Sequence, residues 1–265
     1  MPNSTEALTS SDFEVRTRKP RILFFDIETA PLRIYAWKTW QTDAIKVEKD
    51  WYMLSWSARW KDGKQVTKCL ADYEGYEPTS EDDSQLVTEL WQLFEKADII
   101  VGHNLDRFDI RKTNTRAILN GLKPTSPFKT VDTLKVAKRH FAFTSNRLDS
   151  LGESLGLGRK VKTGGFELWE SCMKGIPSAW AKMKRYNAKD VTLLIKVYDK
   201  LLPWIGNHPN ITVITDQEYG CRNCGSKALT KRGFSFGPTG KRQQYKCSDC
   251  GSWMSGKHIK TADIR

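Results

Sequence analysis

The segment Arg21-Ile-Leu-Phe-Phe-Asp-Ile-Glu-Thr29 decides the fold. Its apolar residues 22–25 stand between a charged residue and a carboxylate, which predicts a short buried strand rather than a helix. Asp26 and Glu28 are two residues apart, so both carboxylates emerge on one face of that strand. Two neighbouring negative charges repel each other unless a cation lies between them, and Mg²⁺ prefers such oxygen ligands. Taken alone, however, such a pair is more often a solvated strand end, so a metal site requires further acidic residues downstream.

Composition indicates a polyanionic partner. The 265 residues carry a formal net charge of +12, which favours binding to nucleic acid. No stretch has the roughly 18 to 20 apolar residues of a membrane span, and the polar N-terminus lacks the apolar core of a signal peptide. We therefore expect a cytoplasmic protein without membrane contacts. Four of its six cysteines form two Cys-x-x-Cys pairs, which in a reducing compartment indicates metal binding rather than disulfides.

The first half of the chain predicts an α/β layered architecture. Residues 1–19 are polar without periodicity, so we expect a flexible segment. Residues 35–60 are rich in Trp and Lys, and their rings either pack in the core or stack on bases. Asp62-Gly63 predicts a hairpin turn. Apolar residues at helical spacing over 86–94, followed by an apolar run at 98–101, predict a helix and then a buried strand.

A second acidic position follows the strand predicted at 98–101. The sequence there reads Gly102-His-Asn104-Leu-Asp106-Arg-Phe108-Asp109 and opens a helix that should end near Asn120-Gly121. Asp109 lies at the start of this helix, where the dipole favours an anion. Asp106 is either the true ligand or a helix cap, and spacing alone does not choose between the two.

A third acidic position lies on a long helix. Pro177 suits the first turn of a helix, and no breaker occurs before Leu202. Tyr186 and Asp190 are four residues apart on this helix and therefore share one face. An aspartate among so many aliphatic residues is either a polar edge residue or a buried ligand.

Together, these three positions resemble the DEDD superfamily of 3′→5′ exonucleases, which share the ribonuclease H-like fold. The first motif is matched by Phe25-Asp-Ile-Glu-Thr29, the second by Asn104-x-x-x-Phe108-Asp109 and the third by Tyr186-x-x-x-Asp190. They occur in the family's order over residues 20–202. Arg185 stands where the histidine branch of the family has its histidine, so the chain resembles the tyrosine branch.

The resemblance implies two Mg²⁺ or Mn²⁺ ions held by Asp26, Glu28, Asp109 and Asp190. Asp26 would bridge both ions, Glu28 and Asp190 would complete the site of one, and Asp109 would support the other. Tyr186 would orient the attacking water; because free phenols titrate near pH 10, it is a poor general base. Carried over from the second motif, Asn104 and Phe108 are expected to contact nucleic acid.

A zinc ribbon is predicted at the C-terminal end. Cys221-x-x-Cys224-Gly and Cys247-x-x-Cys250-Gly flank 22 intervening residues, the pattern of two zinc knuckles whose glycines permit tight turns. Four thiolates fill a tetrahedral structural site, so one Zn²⁺ should fold this module and take no part in catalysis.

The ribbon has the composition of a nucleic-acid-binding surface. Residues 220–265 contain ten Lys or Arg and two Asp, a formal charge of +8. Aromatic residues alternate with basic ones, so that cations could contact phosphates while rings stack on bases, although some rings must form the ribbon's small core. We expect nucleic-acid contacts from four residues: Lys231, Arg232, Lys241 and Arg242.

The sequence thus predicts an α/β ribonuclease H-like mixed sheet flanked by helices, plus a Cys₄ zinc ribbon. The expected boundaries are a flexible segment at 1–19, the exonuclease domain at 20–205, a linker at 206–219, the ribbon at 220–256 and a basic tail at 257–265. The expected substrate is nucleic acid, with DNA bearing a 3′ end preferred, although DNA and RNA cannot be distinguished from sequence. Proofreading would need a separate polymerase, so replication or repair proteins are expected partners. The alternatives are a structure-selective endonuclease of the same fold and a catalytically inactive nucleic-acid-binding adaptor.

Overall fold

The protein is described by a computed structural model that covers residues 19–40, 43–159 and 164–260. Most of the segment predicted to be flexible, residues 1–18, lies outside the described residues, as do 160–163 of a basic loop and 261–265 of the predicted tail. The described chain forms two compact units, Arg21–Pro209 and a C-terminal unit that begins at Asn210. Within the described residues, no helix is both long and apolar enough to cross a bilayer.

A mixed five-stranded sheet forms the centre of the larger unit. Its strands, in chain order, are β1 (Ile22–Thr29), β4 (Met53–Trp60), β5 (Gln65–Cys69), β6 (Ile99–Gly102) and β7 (Lys129–Asp132). Their order in space is β5-β4-β1-β6-β7. The β1 strand pairs antiparallel with β4 and parallel with β6, and β6 pairs parallel with β7. The sheet is therefore antiparallel on one side of β1 and parallel on the other, as the predicted ribonuclease H-like fold requires.

Strand β1 lies at the middle of the core because its first half is apolar on both faces. Leu23, Phe24 and Phe25 are each at most 1% exposed. The Phe25 ring meets Phe94 edge-on, with ring centroids 4.8 Å apart. Burial on both faces explains why the first half of this strand does not alternate between apolar and polar residues. The strand also continues through both acidic residues to Thr29, further than the apolar run alone predicted.

The described residues of this unit form six helices: α1 (Ser84–Glu95), α2 (Asp109–Leu119), α3 (Thr133–His140), α4 (Leu148–Ser154), α5 (Glu167–Met173) and α6 (Pro177–Leu201). Three-residue 3₁₀ turns occur at Leu70–Asp72 and Leu202–Trp204. Asp132 caps α3 by accepting a hydrogen bond from the Leu134 amide. Gly121, with φ of 74°, follows the end of α2 in the left-handed conformation that glycine adopts without strain.

A two-stranded hairpin of β2 (Arg33–Tyr35) and β3 (Lys46–Lys49) is inserted between β1 and β4. The sequence did not predict it, because its strands are only three and four residues long. The predicted hairpin around Asp62-Gly63 is present and joins β4 to β5.

The C-terminal unit contains α7 (Ile211–Ile214) and a three-stranded antiparallel sheet of β8 (Leu229–Gly237), β9 (Gly240–Cys247) and β10 (Trp253–Lys260). Two predicted boundaries differ from the structure. The expected linker 206–219 contains α7, whose Ile211 amide donates a hydrogen bond to the carbonyl oxygen of Arg222 at 2.8 Å. Residues 257–260 of the expected tail complete β10, because their backbone groups pair with β9.

Candidate active site and metal-binding cluster

Three carboxylates meet where β1 and α6 lie side by side. One oxygen each from Asp26, Glu28 and Asp190 lies within 4.8 Å of the others. Asp26 and Glu28 reach the same place because they are two residues apart on a strand, while Ile27 points the other way and is 3% exposed. Asp190 is 1% exposed on α6. Since nearby carboxylates repel, this arrangement suits a bound cation.

Asp109 lies beside this cluster at the first residue of α2 and is 3% exposed. Its Oδ1 accepts a hydrogen bond from the Ile27 amide at 3.4 Å. Burial, followed by the nearby charge of Asp26, raises the pKa of the Asp109 carboxyl well above its ordinary value. Asp106 instead forms an ion pair with Lys135 at 2.6 Å. Of the two candidates that the sequence left open, Asp109 therefore contacts β1 beside the cluster, whereas Asp106 pairs with a lysine of α3.

A groove of about 650 Å³ opens beside the cluster and is lined by both Asp26 and Tyr186. The Tyr186 ring meets Trp169 edge-on, with centroids 5.9 Å apart. Basic and amide side chains complete the lining, among them Asn104, Lys138, Asn146 and Arg147. Donors and cations around a set of carboxylates are what a phosphate-bearing ligand needs.

His103 also lines this groove, and both of its ring nitrogens lie within hydrogen-bonding distance of neighbouring residues. Its Nδ1 lies 2.9 Å from the Thr133 hydroxyl, and its Nε2 lies 2.9 Å from the carbonyl oxygen of Asn146. A carbonyl oxygen only accepts, so Nε2 carries a proton and donates it to Asn146. His103 thus fixes the segment before α4 and is not positioned as a ligand.

Asn104 and Phe108 flank the turn between β6 and α2. Asn104 has φ of 64°, a left-handed conformation that asparagine tolerates better than most residues. The backbone amide of Asn104 donates a hydrogen bond to Asp132 Oδ1 at 3.0 Å. The Phe108 ring is 38% exposed, and the Lys112 ammonium lies 5.1 Å from its centroid. An exposed ring beside a cation is compatible with the predicted contact to nucleic acid.

Asn187 follows Tyr186 on α6 and is fully buried, and no sequence pattern predicted a role for it. Its Nδ2 donates to Asp26 Oδ2 at 2.7 Å and lies 3.3 Å from the backbone oxygen of Asp26. An asparagine on an otherwise ordinary helix carries no motif of its own. The only available signal was its position inside the Tyr186-x-x-x-Asp190 spacing.

The four cysteines of the C-terminal unit converge as the ribbon pattern predicted. Their sulfurs all lie within 4.8 Å of one another, with Cys221 and Cys250 at 3.5 Å and Cys224 and Cys247 at 3.7 Å. Tetrahedral zinc with Zn–S bonds of about 2.3 Å places neighbouring sulfurs about 3.8 Å apart. In the metal-free chain, burial raises the pKa of the Cys221 thiol to about 11. The cluster is therefore compatible with a zinc ribbon.

The two halves of the cluster repeat the same local structure. The Gly225 amide donates to the Cys221 carbonyl at 2.7 Å, and the Gly251 amide donates to the Cys247 carbonyl at 3.0 Å. Both glycines have positive φ, 78° and 76°. A side chain would be strained at each position, which explains the glycine that follows each Cys-x-x-Cys pair.

The basic residues predicted to contact nucleic acid are distributed over both faces of the ribbon sheet. Lys241 lies opposite Phe236 on β8, whereas Arg242 lies opposite Ser235, so the two side chains point to opposite faces. Lys231 shares the face of Lys241. The Lys241 ammonium lies 4.5 Å from the centre of the Phe234 ring. Lys231, Arg232 and Arg242 are exposed.

Comparison with known proteins agrees with this architecture. Residues 23–202 match the sequence profile of the RNase H superfamily. The chain belongs to the RNase H superfamily. The match begins in β1 and ends at the 3₁₀ turn after α6, so it contains all four carboxylates.

A solved structure with the superfamily's fold is the family B DNA polymerase from the hyperthermophilic archaeon Pyrobaculum calidifontis. The two chains share 18% sequence identity with a TM-score of 0.54, over 84% of this chain and 32% of the polymerase chain. This RNase H superfamily member thus spans about a third of that polymerase, and the likeness shows the fold alone. No curated protein sequence matches it significantly.

Proposed function

We propose that the chain is a metal-dependent 3′→5′ exonuclease that hydrolyses nucleic-acid phosphodiester bonds, with DNA as its substrate. The proposal rests on one cluster of carboxylates. One oxygen each from Asp26, Glu28 and Asp190 lies within 4.8 Å of the others, and the buried carboxyl of Asp109 lies beside them. Membership of the RNase H superfamily supports hydrolysis of nucleic acid. The order and spacing of the three motifs support the finer assignment to 3′→5′ exonucleases of the tyrosine branch.

The four carboxylates fit two divalent cations, Mg²⁺ or Mn²⁺. Asp26 would contact both ions; Glu28 and Asp190 would hold one of them, and Asp109 the other. Bound ions would supply charge neutralisation at the phosphate and an activated water at neutral pH. Burial and the nearby charge of Asp26 raise the pKa of the Asp109 carboxyl, and a bound cation would favour its ionised form.

Side chains around the cluster would position the substrate. Tyr186 lines the same groove as Asp26, which supports the proposal that its hydroxyl would orient the attacking water. Asn104 and Phe108 would hold the 3′-terminal nucleotides, by hydrogen bonding and by stacking respectively. The rate enhancement would therefore come from orientation and electrostatics rather than from a protein base.

The ribbon would bind one structural Zn²⁺ and would also bind nucleic acid. Lys231 and Lys241 share one face with Phe234 and Phe236, the latter 82% exposed, and this mixture of cations and rings suits a nucleic-acid strand. Affinity for nucleic acid falls as salt rises, and alanine substitutions at four basic residues should make this dependence less steep. The slope of log affinity against log salt should lose about 0.7 to 0.9 of its magnitude for each phosphate that is no longer neutralised. The four residues are Lys231, Arg232, Lys241 and Arg242. An unchanged slope would favour a ribbon that docks onto a protein.

Two end-labelled substrates test the exonuclease proposal. A 3′-labelled oligonucleotide should release labelled mononucleotide at once, whereas a 5′-labelled one should give a ladder that shortens from the 3′ end. Both DNA and RNA versions should be compared in Mg²⁺, Mn²⁺ and chelator. Discrete internal fragments would indicate the structure-selective endonuclease instead. Binding without hydrolysis under every metal condition would indicate the inactive adaptor.

A further inference from the structure

The β2–β3 hairpin projects from the end of the sheet where the carboxylates lie. Strands β1 and β4 pair directly up to Thr29 and Met53, and the Ala30 amide still donates to the Tyr52 carbonyl at 2.9 Å. The chain then leaves the sheet after Ala30 and returns to it at Tyr52. Arg33, where the hairpin begins, is five residues beyond Glu28, a span of at most about 17 Å for an extended chain.

This hairpin exposes more apolar surface than a solvated loop requires. Every residue of β2 and of β3 is exposed. In the loop between them, the Trp37 ring is 83% exposed and the Trp40 ring 94%. Other large apolar side chains of the hairpin are 42% to 53% exposed, namely Ile34, Tyr35, Ile45 and Val47. Apolar patches of this kind mark interaction sites, and an isolated hairpin is only marginally stable in water.

A second groove lies at the root of the hairpin. It has a volume of about 640 Å³ and is lined by Thr29, which follows Glu28, and by Leu32, which precedes β2. Trp169 lines the same groove and contacts Tyr186. Lys112 also lines it, with its ammonium 3.8 Å from the centre of the Trp51 ring. The groove is therefore lined by neighbours of active-site residues at one end and by residues at the root of the hairpin at the other, and it combines rings with a cation.

Cations interleave with the exposed rings of the hairpin, whose residues 33–50 carry four Lys or Arg and three Asp or Glu. Lys38 lies between the two exposed tryptophans, and Lys46 lies on β3. Arg33 and Lys49, by contrast, are neutralised by Glu81, at 2.8 and 3.0 Å respectively. Exposed rings that alternate with cations bind bases and phosphates of a single strand. A protein partner with an apolar surface would not require the cations.

We propose that the β2–β3 hairpin binds single-stranded nucleic acid on the 5′ side of the bond that is hydrolysed, with Trp37 and Trp40 stacking on bases. This inference rests on the proposed function, because a 3′→5′ exonuclease has only the 5′ side of its substrate left to hold. At about 3.4 Å per nucleotide, the root of the hairpin lies within about five nucleotides of the active site. Longer strands therefore reach the rings, whereas very short ones do not.

Binding of single-stranded DNA to the full-length protein in chelator tests the proposal without any hydrolysis. Trp37→Ala combined with Trp40→Ala should weaken binding of a 20-nucleotide strand at least tenfold, because stacking of each base contributes substantially. Binding of a three-nucleotide strand should not change. The matched control replaces Ile118 and Leu119, exposed by 72% and 61% on α2, by Ala, and should leave both affinities unchanged.

A second variant tests the cations independently of the rings. Lys38→Ala combined with Lys46→Ala should reduce the slope of log affinity against log salt by about 1.4 for the 20-nucleotide strand, about 0.7 for each phosphate that the two lysines neutralise. Wild-type affinity and slope in both variants would overturn the proposal and leave the hairpin as a protein-binding element. If the tryptophan variant loses affinity but the wild type never hydrolyses DNA or RNA, the hairpin inference survives and the proposed exonuclease function fails.

Discussion

The Asn187 amide group holds Asp26 at two points. Nδ2 lies 2.7 Å from Asp26 Oδ2 and 3.3 Å from the backbone oxygen of Asp26. Because a backbone carbonyl only accepts hydrogen bonds, the amide nitrogen must face Asp26 and the amide oxygen must face away. That oxygen lies 3.5 Å from the Ser55 hydroxyl on β4, in the register position opposite Glu28. Asn187 thus links the helix of Asp190 to the strand of Asp26 and fixes one oxygen of Asp26.

Replacing Asn187 by Leu should weaken binding of divalent cations about 10- to 100-fold, because residues that orient metal ligands contribute effects of this size. Calorimetric titration of Mn²⁺ into the full-length protein measures this directly, without substrate. Thr192→Ala is the matched control, since Thr192 lies on the same helix but bonds to Gln65 and Ala188. Equal Mn²⁺ affinities in Asn187→Leu and the wild type would show that the contact only packs the helix.

Asp109 should make the metal-free protein less stable as pH rises. Its pKa is raised in the folded state, so its contribution to stability is complete below the ordinary value of 3.8 and is lost as pH increases through the raised pKa. Asp109→Asn removes this titration and should give a higher Tm than the wild type at neutral pH. Thermal unfolding in chelator between pH 4 and pH 8 measures the difference. If Tm changes with pH in the same way in Asp109→Asn and in the wild type, the pKa of Asp109 is not raised in the folded protein.

The sequence could predict the sheet and the carboxylates because both depend on local spacing. The two-residue spacing of Asp26 and Glu28 and the four-residue spacing of Tyr186 and Asp190 translate directly into shared faces of a strand and a helix. The choice between Asp106 and Asp109 was different. It depends on which of the two side chains accepts a hydrogen bond from the Ile27 amide on a different element. A contact between segments so far apart in the chain cannot be predicted from local spacing.

Other features were missed for related reasons. The strands of the β2–β3 hairpin are three and four residues long, too short for apolar alternation to identify them. The predicted tail at 257–265 was assigned from its charge, yet residues 257–260 form strand because β9 supplies their backbone partners. Pairing between distant segments cannot be predicted from the composition of one of them.

Replacing Tyr186 by Phe should lower the rate of hydrolysis about 10²-fold without abolishing it, because the orientation of the water is lost while the carboxylates remain. Single-turnover rates at saturating enzyme measure this effect. Tyr73→Phe is a suitable control, since it removes a hydroxyl that bonds to Glu89 at 2.9 Å outside the grooves of the active site. A Tyr186→Phe rate equal to that of the wild type would reduce Tyr186 to a packing role.

Cys224→Ser should release zinc and unfold the ribbon sheet. The full-length protein should contain one Zn²⁺ per chain by elemental analysis, and the variant should contain much less, because a structural zinc site supplies the folding free energy of a small module. Ser248→Ala serves as a control on the same unit, since Ser248 is exposed and contributes no sulfur. A zinc-free wild type that keeps the β8–β9–β10 hydrogen bonds in amide exchange would contradict the ribbon assignment.

The most direct test of the carboxylate cluster is the hydrolysis of a 5′-labelled oligonucleotide by Asp26→Ala in Mg²⁺. Asp26 belongs to the cluster with Glu28 and Asp190, and its charge also acts on Asp109, so its removal takes away the proposed ligand to both cations while relieving charge repulsion. The wild type should shorten the strand stepwise from its 3′ end. The variant should leave it intact while retaining a Tm, in chelator, at least as high as that of the wild type. Near-normal shortening by a folded Asp26→Ala protein would contradict two-metal hydrolysis at this site.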